Sequence, residues 1–362
     1  MKLFTLLITG ALSILTSCNG QNTSQPTKYI LKGPLAKGDT VKELGNNIML
    51  VYQDKKNIFW FGSWGEGLYR YDGKTIIHFT TAHGLLQNKI VNIQEDRSGN
   101  LYFNTDIGIN KFDGHTFSKL PIANTNEWKL QPDDLWFKGA QDSGVVYRYD
   151  GATLHRLEFP ATKAGDEHYA KLPRSKNPNA NYSPYDVYTI YKDSKGSIWF
   201  GTTSLGVCRY DPRLPDGQGK SFLWISENEL EFDEETGFGI RSIIQDNDGK
   251  YWFSNTLHRF KMLAGDNYEK ENGIDIPGGK NNFDKVAIIS MAKDKNDLWL
   301  VTYNQGVWRY NGERVTHYTV KDNGKDIKLF SIFKDNNGDL WLGTPENGAY
   351  KFNGKSFEKF RQ

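Results

Sequence analysis

Apolar residues in this chain come in short runs separated by turn residues, and the runs recur. The clearest copy is the last one. It reads Asp335-Asn-Asn-Gly338-Asp-Leu-Trp341-Leu-Gly343, then Ala349-Tyr350-Lys-Phe352, an Asn353-Gly354 turn, and a final run to Phe360. Asn-Gly between two such runs is a strong hairpin signal, because a two-residue turn of this kind needs positive φ at both positions. Three tight turns in so short a stretch leave no room for a helix. The unit therefore predicts a small antiparallel sheet, with Leu329–Phe333 as the strand that precedes it.

The unit repeats from Asn47 onward. Its large aromatic anchor recurs as Trp60, Tyr102, Trp136, Trp199, Trp252, Trp299 and Trp341, at spacings of 42, 34, 63, 53, 47 and 42 residues. A period near 42 with inserted loops marks an array of one supersecondary unit per repeat. An aspartate stands six residues before most anchors (Asp54, Asp96, Asp193, Asp246, Asp335), and Asp294 stands five before Trp299. A glycine often follows three after it, as at Gly99, Gly196, Gly249 and Gly338. An aspartate opening a turn accepts a backbone hydrogen bond two residues on, and the glycine supplies the left-handed conformation. Runs such as Tyr69-Arg-Tyr71, Cys208-Arg-Tyr210 and Trp308-Arg-Tyr310 end the third strands.

The first strands settle the architecture. Ile90–Ile93, Val187–Ile190, Ile240–Ile243 and Ile288–Met291 are apolar on both faces, so they are covered on both sides. Radially arranged four-stranded sheets give that burial. Seven anchors predict an all-β, seven-bladed β-propeller of four-stranded antiparallel blades over 47–362. The last run supplies its own fourth strand, so no exchange of strands between the chain ends is evident. Lys28–Gly33 reads as an outer strand without a clear place.

The Asp-x-x-Gly-x-Leu/Ile-Trp-Phe/Leu-Gly-Thr run, followed by Gly-Leu/Val-x-Arg-Tyr-Asp/Asn-Gly, resembles the two-component regulator propeller repeat. The match is sharpest in the first, fourth, sixth and seventh units. It is poor in the third, where Gln131-Pro132-Asp133-Asp134 replaces the turn. In that family such propellers form periplasmic sensors of hybrid histidine kinases, often beside polysaccharide-degrading systems. No transmembrane helix, kinase or receiver segment follows Gln362, so the resemblance does not carry signalling activity over to this sequence.

The N-terminus changes the picture of location. Lys2 followed by the apolar stretch Leu3–Leu15 is too short to span a bilayer, and it ends in Leu15-Thr16-Ser17-Cys18. That resembles a bacterial lipobox: residues 1–17 form a lipoprotein signal peptide, and Cys18 is the lipidation site. Residues 18–46 are then a polar tether and lead-in, with the membrane reached only through the N-terminal lipid. The segment after Cys18 lacks an aspartate and any acidic run, which by resemblance points to an outer-membrane anchor facing the periplasm or the surface. Only Cys208 would remain, so no intrachain disulfide is available. A net charge of +2 gives no basic field for nucleic acid.

Chemistry is harder to read. The Asp-x-x-Gly turn resembles the Asp-box of sialidases but differs in spacing, and reads as scaffold. Asp246-Asn-Asp248-Gly249 opens like a calcium loop without the distal glutamate. The seven histidines show no metal-ligand spacing, and neither a Gly-x-Ser-x-Gly elbow nor a Walker loop is present. Neither a cofactor nor a metal is expected. What rises above scaffold is the placing of the insertions. Phe159–Tyr185, Ser226–Gly239 and Asn272–Lys285 all link a fourth strand to the next first strand, so they share one face around the channel. The first is basic and aromatic (Lys171, Arg174, Lys176, Tyr182, Tyr185), and the second is acidic (Glu227, Glu229, Glu231, Asp233, Glu234, Glu235).

First strands start on that face, so their opening residues ring the channel mouth: Asn47, Asn88, Asp186, Lys328 and, slightly deeper, Arg241. Polar groups there are costly unless paired, hydrated or used. The expectation is a hydroxyl-rich or anionic ligand with Arg241 as main donor and Asp186 as acceptor. Tyr185 or Tyr188 would offer an aromatic face. Mutual neutralisation of Asp186 and Arg241 is the competing reading. The function expected is a lipid-anchored, non-enzymatic propeller binding a glycan or an envelope protein in sensing or uptake. The alternative is a propeller hydrolase or lyase acting on a carbohydrate or lactone.

Overall fold

The computed structural model describes residues 37–139, 142–171, 183–213, 221–231, 239–256, 258–264, 267–274 and 287–362. Cys18 and Lys28–Gly33 lie outside the described residues, as do Arg174, Lys176, Tyr182, Asp233, Glu234 and Glu235 of the long links. Among the described residues the strands form the seven blade sheets of a β-propeller and one two-stranded hairpin, Lys321–Asp322 with Lys325–Asp326. Blades 2, 4, 5, 6 and 7 are four-stranded antiparallel sheets in chain order. Their innermost strands are Ile90–Glu95, Val187–Lys192, Ile243–Gln245, Ile288–Asp294 and Ser331–Lys334. In blade 5 the strand begins at Ile243, and Ile240–Ser242 lead in without strand pairing.

Each anchor aromatic is buried, from fully enclosed Tyr102 and Trp199 to 4% exposure at Trp136 and Trp252. Seven hydrophobic clusters each join one blade to the next, and the seventh joins Trp341 of blade 7 to Phe61 of blade 1. The turn aspartate explains the spacing of six. In Asp54, Asp193, Asp246 and Asp335, Oδ1 accepts from the backbone N–H groups two and four residues on. Oδ2 accepts from the anchor's indole N–H at 2.9 Å. Asp96 treats the Tyr102 hydroxyl in the same way. The third-strand Arg or Lys lies directly across from the anchor and packs over its ring, at 5.8 Å for Arg209 on Trp199 and 5.2 Å for Lys351 on Trp341.

The Asp-Gly and Asn-Gly turns differ from the expected two-residue form. Positive φ falls on the glycine alone, as at Gly73 (93°), while Asp72 accepts from the N–H groups of Lys74 and Thr75. The loops are thus four residues long and held by the side chain, with glycine still required at one position.

Blades 1 and 3 depart from the pattern. Blade 1 gains an outer strand, Asp39–Val41, paired with Ile76–Phe79. Blade 3 keeps four strands by another route. Its anchor-bearing strand Leu135–Lys138, second in every other blade, is the innermost, and the short strand Ile122–Ala123 is added outside, parallel to Leu154–Glu158. Leu135–Lys138 then contacts the inner strands of blades 2 and 4 directly. Side-chain amides from blade 2 stand in for the lost strand: Gln94 donates to the Trp136 carbonyl and Asn104 to the Lys138 carbonyl at 2.9 Å. The lost turn also takes its aspartate. Asp134 pairs with buried Arg148 at 3.1 Å instead, and the Trp136 indole N–H has no acceptor among the described residues.

Ring closure uses side chains and loops between blades 7 and 1. Asn336 donates to Gln53, Asp54 and Asn57, and Ile48 donates to the Thr344 carbonyl. Phe357–Lys359 completes blade 7 from its own repeat. The first long link carries a helix, Lys163–Lys171, and the second a short one, Glu227–Leu230, with Ser226 and Glu229 forming a capping box.

Candidate functional site

A cavity of about 540 Å³ opens at the channel mouth. Its functional groups come from five blades: Trp64, Lys89, Asp106, Lys138, Tyr188 and Arg241. Trp64 and Asp106 lie in the turns between second and third strands, and Lys89 and Arg241 just before first strands or at their start. Trp64 is one of the few exposed large hydrophobics, at 38%. Phe330 holds its ring edge-on at 4.8 Å, and the Lys89 ammonium lies 5.0 Å from its centroid while pairing with Asp106 at 2.9 Å.

Arg241 and Lys138 meet at Tyr188. The Arg241 guanidinium lies 3.9 Å over the Tyr188 ring, and Lys138 Nζ donates to the Tyr188 carbonyl at 3.1 Å. Lys138 keeps partial solvent contact as a residue, while its ammonium is surrounded by protein. Burial, with the charges of Arg241 and Lys89, pushes its pKa down to about 8 against a smaller opposing pull from Asp106. Burial also lowers the Arg241 pKa, which the neighbouring Tyr188 only partly offsets.

The cavity's other carboxylates are engaged by the scaffold. Asp142 takes Arg156 in a two-point pair at 2.6 and 2.9 Å and accepts from the Tyr147 hydroxyl, and the Arg156 bonds hold its carboxyl below the usual range. Asp186 accepts from the Ser143 hydroxyl at 3.0 Å and from the N–H groups of Gly144 and Ser183.

Of the residues singled out in the sequence, Asp186, Tyr188 and Arg241 come together in this cavity. The other four do not line it. Asn47 is a staple at the seam, donating to the Pro345 carbonyl and accepting from Ser63 and Trp64. Asn88 accepts from Thr81, and its carbonyl takes the N–H groups of Gly65 and Gly67. Tyr185 is buried against Phe159 and Trp224, its hydroxyl accepting from the Thr162 N–H. Lys328 is exposed and pairs with Glu346 at 2.8 Å. In the acidic link, Glu231 pairs with His258 and Lys270, so that carboxylate is tied to blade 5.

Sequence reasoning missed Trp64, Lys89, Asp106 and Lys138. Two signals were legible. Trp64 is a tryptophan outside the anchor register, in a turn where other repeats carry Thr203 or Pro345. Lys138 stands two after its anchor, where other repeats carry Gly62, Gly201 and Gly343. Among the described residues, no group of His, Cys, Asp or Glu is arranged to hold a metal ion, and no helix is long and apolar enough to cross a membrane.

A closed ring of seven blades with a polar, aromatic-edged cavity at one end of its channel defines a seven-bladed β-propeller. The chain carries the two component regulator propeller repeat, matched at residues 181–204 and 323–346. Over 39 residues it is 49% identical to histidine kinase P4 of Formosa agariphila, which is 11% of this chain and only 3% of the kinase. Among solved structures it is similar to the extracellular domain of BT4673 from B. thetaiotaomicron, described as a hybrid two component system. That likeness is 20–21% identical with a TM-score of 0.53, over 86% of this chain and 39–40% of that one. Virginiamycin B lyase from Staphylococcus aureus is similar at 13% identity and a TM-score of 0.58, over 86% of this chain and 97% of the lyase. At these identities both structural likenesses concern the fold.

Proposed function

We propose that this chain is a lipid-anchored, non-enzymatic propeller that binds a ligand in the channel-mouth cavity, a glycan or a glycan-bearing envelope partner, in sensing or uptake at the cell envelope. The observation that carries the reading is the pairing of the exposed Trp64 ring with the Tyr188–Arg241 stack across one cavity. An aromatic face beside fixed polar donors is how concave sites take hydroxyl-rich molecules with orientation. Acid–base chemistry would want a carboxyl raised toward neutrality. Asp142 moves the other way under Arg156, and Asp106 is committed to Lys89. The envelope setting is supported by the lipobox at Cys18 and by the extracellular placing of the BT4673 domain.

The test is a thermal-shift screen of the chain against oligosaccharides from plant, algal and host polymers, repeated with Arg241→Ala and Tyr188→Ala. A ligand of this site raises the melting temperature of the wild type and neither variant. If no oligosaccharide stabilises the wild type, or the variants respond equally, the glycan reading is wrong.

A further inference from the structure

We propose that the part of the channel-mouth cavity beside Lys138, whose side chain takes the place of blade 3's missing first strand, is a subsite for a singly charged oxyanion on the ligand, a carboxylate or a sulfate ester, held by the Lys138 ammonium with Arg241 alongside. This rests on the channel-binding reading above and adds the charge of the ligand to it.

The geometry begins with the repeat. Two residues after the anchor, blades 1, 4 and 7 carry glycine. A Cβ there would meet Ile90 and Leu50 at Gly62, the Ile240 carbonyl and Thr189 at Gly201, and Ser331 with Ile48 at Gly343. The closest approaches are 3.1, 2.3 and 2.6 Å respectively. In each case the crowding comes from first strands or the residues leading into them. Blade 3 has no such strand, and the same register position carries a lysine. Its side chain fills the vacated space and extends across to Tyr188 of blade 4.

The charged groups that line the cavity with this ammonium are Lys89 and Asp106 from blade 2, Asp142 from its own blade, Asp186 from blade 4 and Arg241 from blade 5. Lys89 is matched by Asp106 and Asp142 by Arg156, while Asp186 is surrounded by three donors. Lys138 is paired with no carboxylate among the described residues; its acceptor is a neutral carbonyl. A buried ammonium without a counter-charge is disfavoured, which is the cause of its lowered pKa. An oxyanion entering beside it supplies that counter-charge. Because the free protein loses this proton near pH 8, anion affinity is flat below that pH and falls above it.

The experiment uses the full chain in titration calorimetry. D-glucuronate is set against glucose, and N-acetylglucosamine 6-sulfate against N-acetylglucosamine, from pH 6.5 to 9.5. The expected result is that one charged sugar binds at least about tenfold tighter than its neutral match, the discrimination of one charge-assisted hydrogen bond. Whichever arm does so identifies the oxyanion. Its affinity drops toward the neutral level above pH ~8. Lys138→Met removes the preference while neutral-sugar binding stays, and Lys138→Arg keeps the preference and shifts the fall beyond pH 9.5. A preference that survives Lys138→Met overturns the proposal, as does equal binding of charged and neutral sugars with the cavity reading left standing. Binding of no sugar at all removes both.

Discussion

The indole N–H of Trp199 donates to Oδ2 of Asp193, six residues earlier, at 2.9 Å. The same oxygen accepts the hydroxyl of Tyr251 from the next blade at 2.7 Å, and Oδ1 accepts the N–H groups of Lys195 and Ser197. One buried carboxylate therefore closes a turn, orients an anchor and ties two blades. Asp193→Ala leaves four donors without this acceptor and is expected to cost about 2–4 kcal/mol in urea unfolding. Trp136 offers the contrast, since its indole N–H has no acceptor among the described residues. Trp136→Phe should cost less than Trp199→Phe by about 1 kcal/mol. Equal costs would show that the indole–aspartate bond contributes nothing.

Acid should undo a second set of carboxylates. Burial pushes the Asp211 pKa up, but the bonds from Arg213 and Ser197 outweigh it and hold it at about 2. Asp150 is also held at about 2, burial being overcome by the Thr153 and Ala152 N–H groups and His155. A carboxyl depressed below its unfolded value near ~3.9 stabilises the fold fully above that pH, and the contribution disappears as pH falls through 2. Asp211→Asn should thus melt below the wild type at pH 7, with the two curves converging between pH 4 and 2. A constant gap across that range would contradict the linkage.

Trp64 separates function from stability. Its ring is partly exposed and held on one side by Phe330, unlike the enclosed anchors. Trp64→Ala should leave the unfolding midpoint close to wild type, and should weaken any glycan found in the thermal-shift screen about tenfold. Undiminished binding in a folded variant would move the ligand away from the channel mouth.

Lipidation at Cys18 is checked by fractionation and intact mass. One acyl chain gives marginal membrane affinity and stable anchoring needs more, which a multiply acylated N-terminal cysteine supplies. Wild type should partition with membranes and carry the mass of a processed, acylated chain. Cys18→Ser should appear in the soluble fraction or keep its leader. A wild type that is soluble and starts at another residue would refute the lipobox.

By itself the sequence determined whatever depends on residues close along the chain. The aspartate reaches its anchor's indole within six positions, and the third-strand arginine sits across a short hairpin. Both constraints repeat with the unit, so blade number, anchor burial and turn positions were legible. Even there the turn type needed the structure, because Asp72 holds its loop with its side chain rather than with positive φ. What only the tertiary structure decided lies where distant repeats meet. Asn47 reads as a free opening residue, yet it bonds Pro345 across the seam, 298 positions away. Lys328 finds Glu346 on the rim, and Tyr185 turns into the wall. Lys138 faces the channel because its blade lacks a first strand. That vacancy is a property of the ring, since it exists only where blades 2 and 4 flank the place a strand would fill.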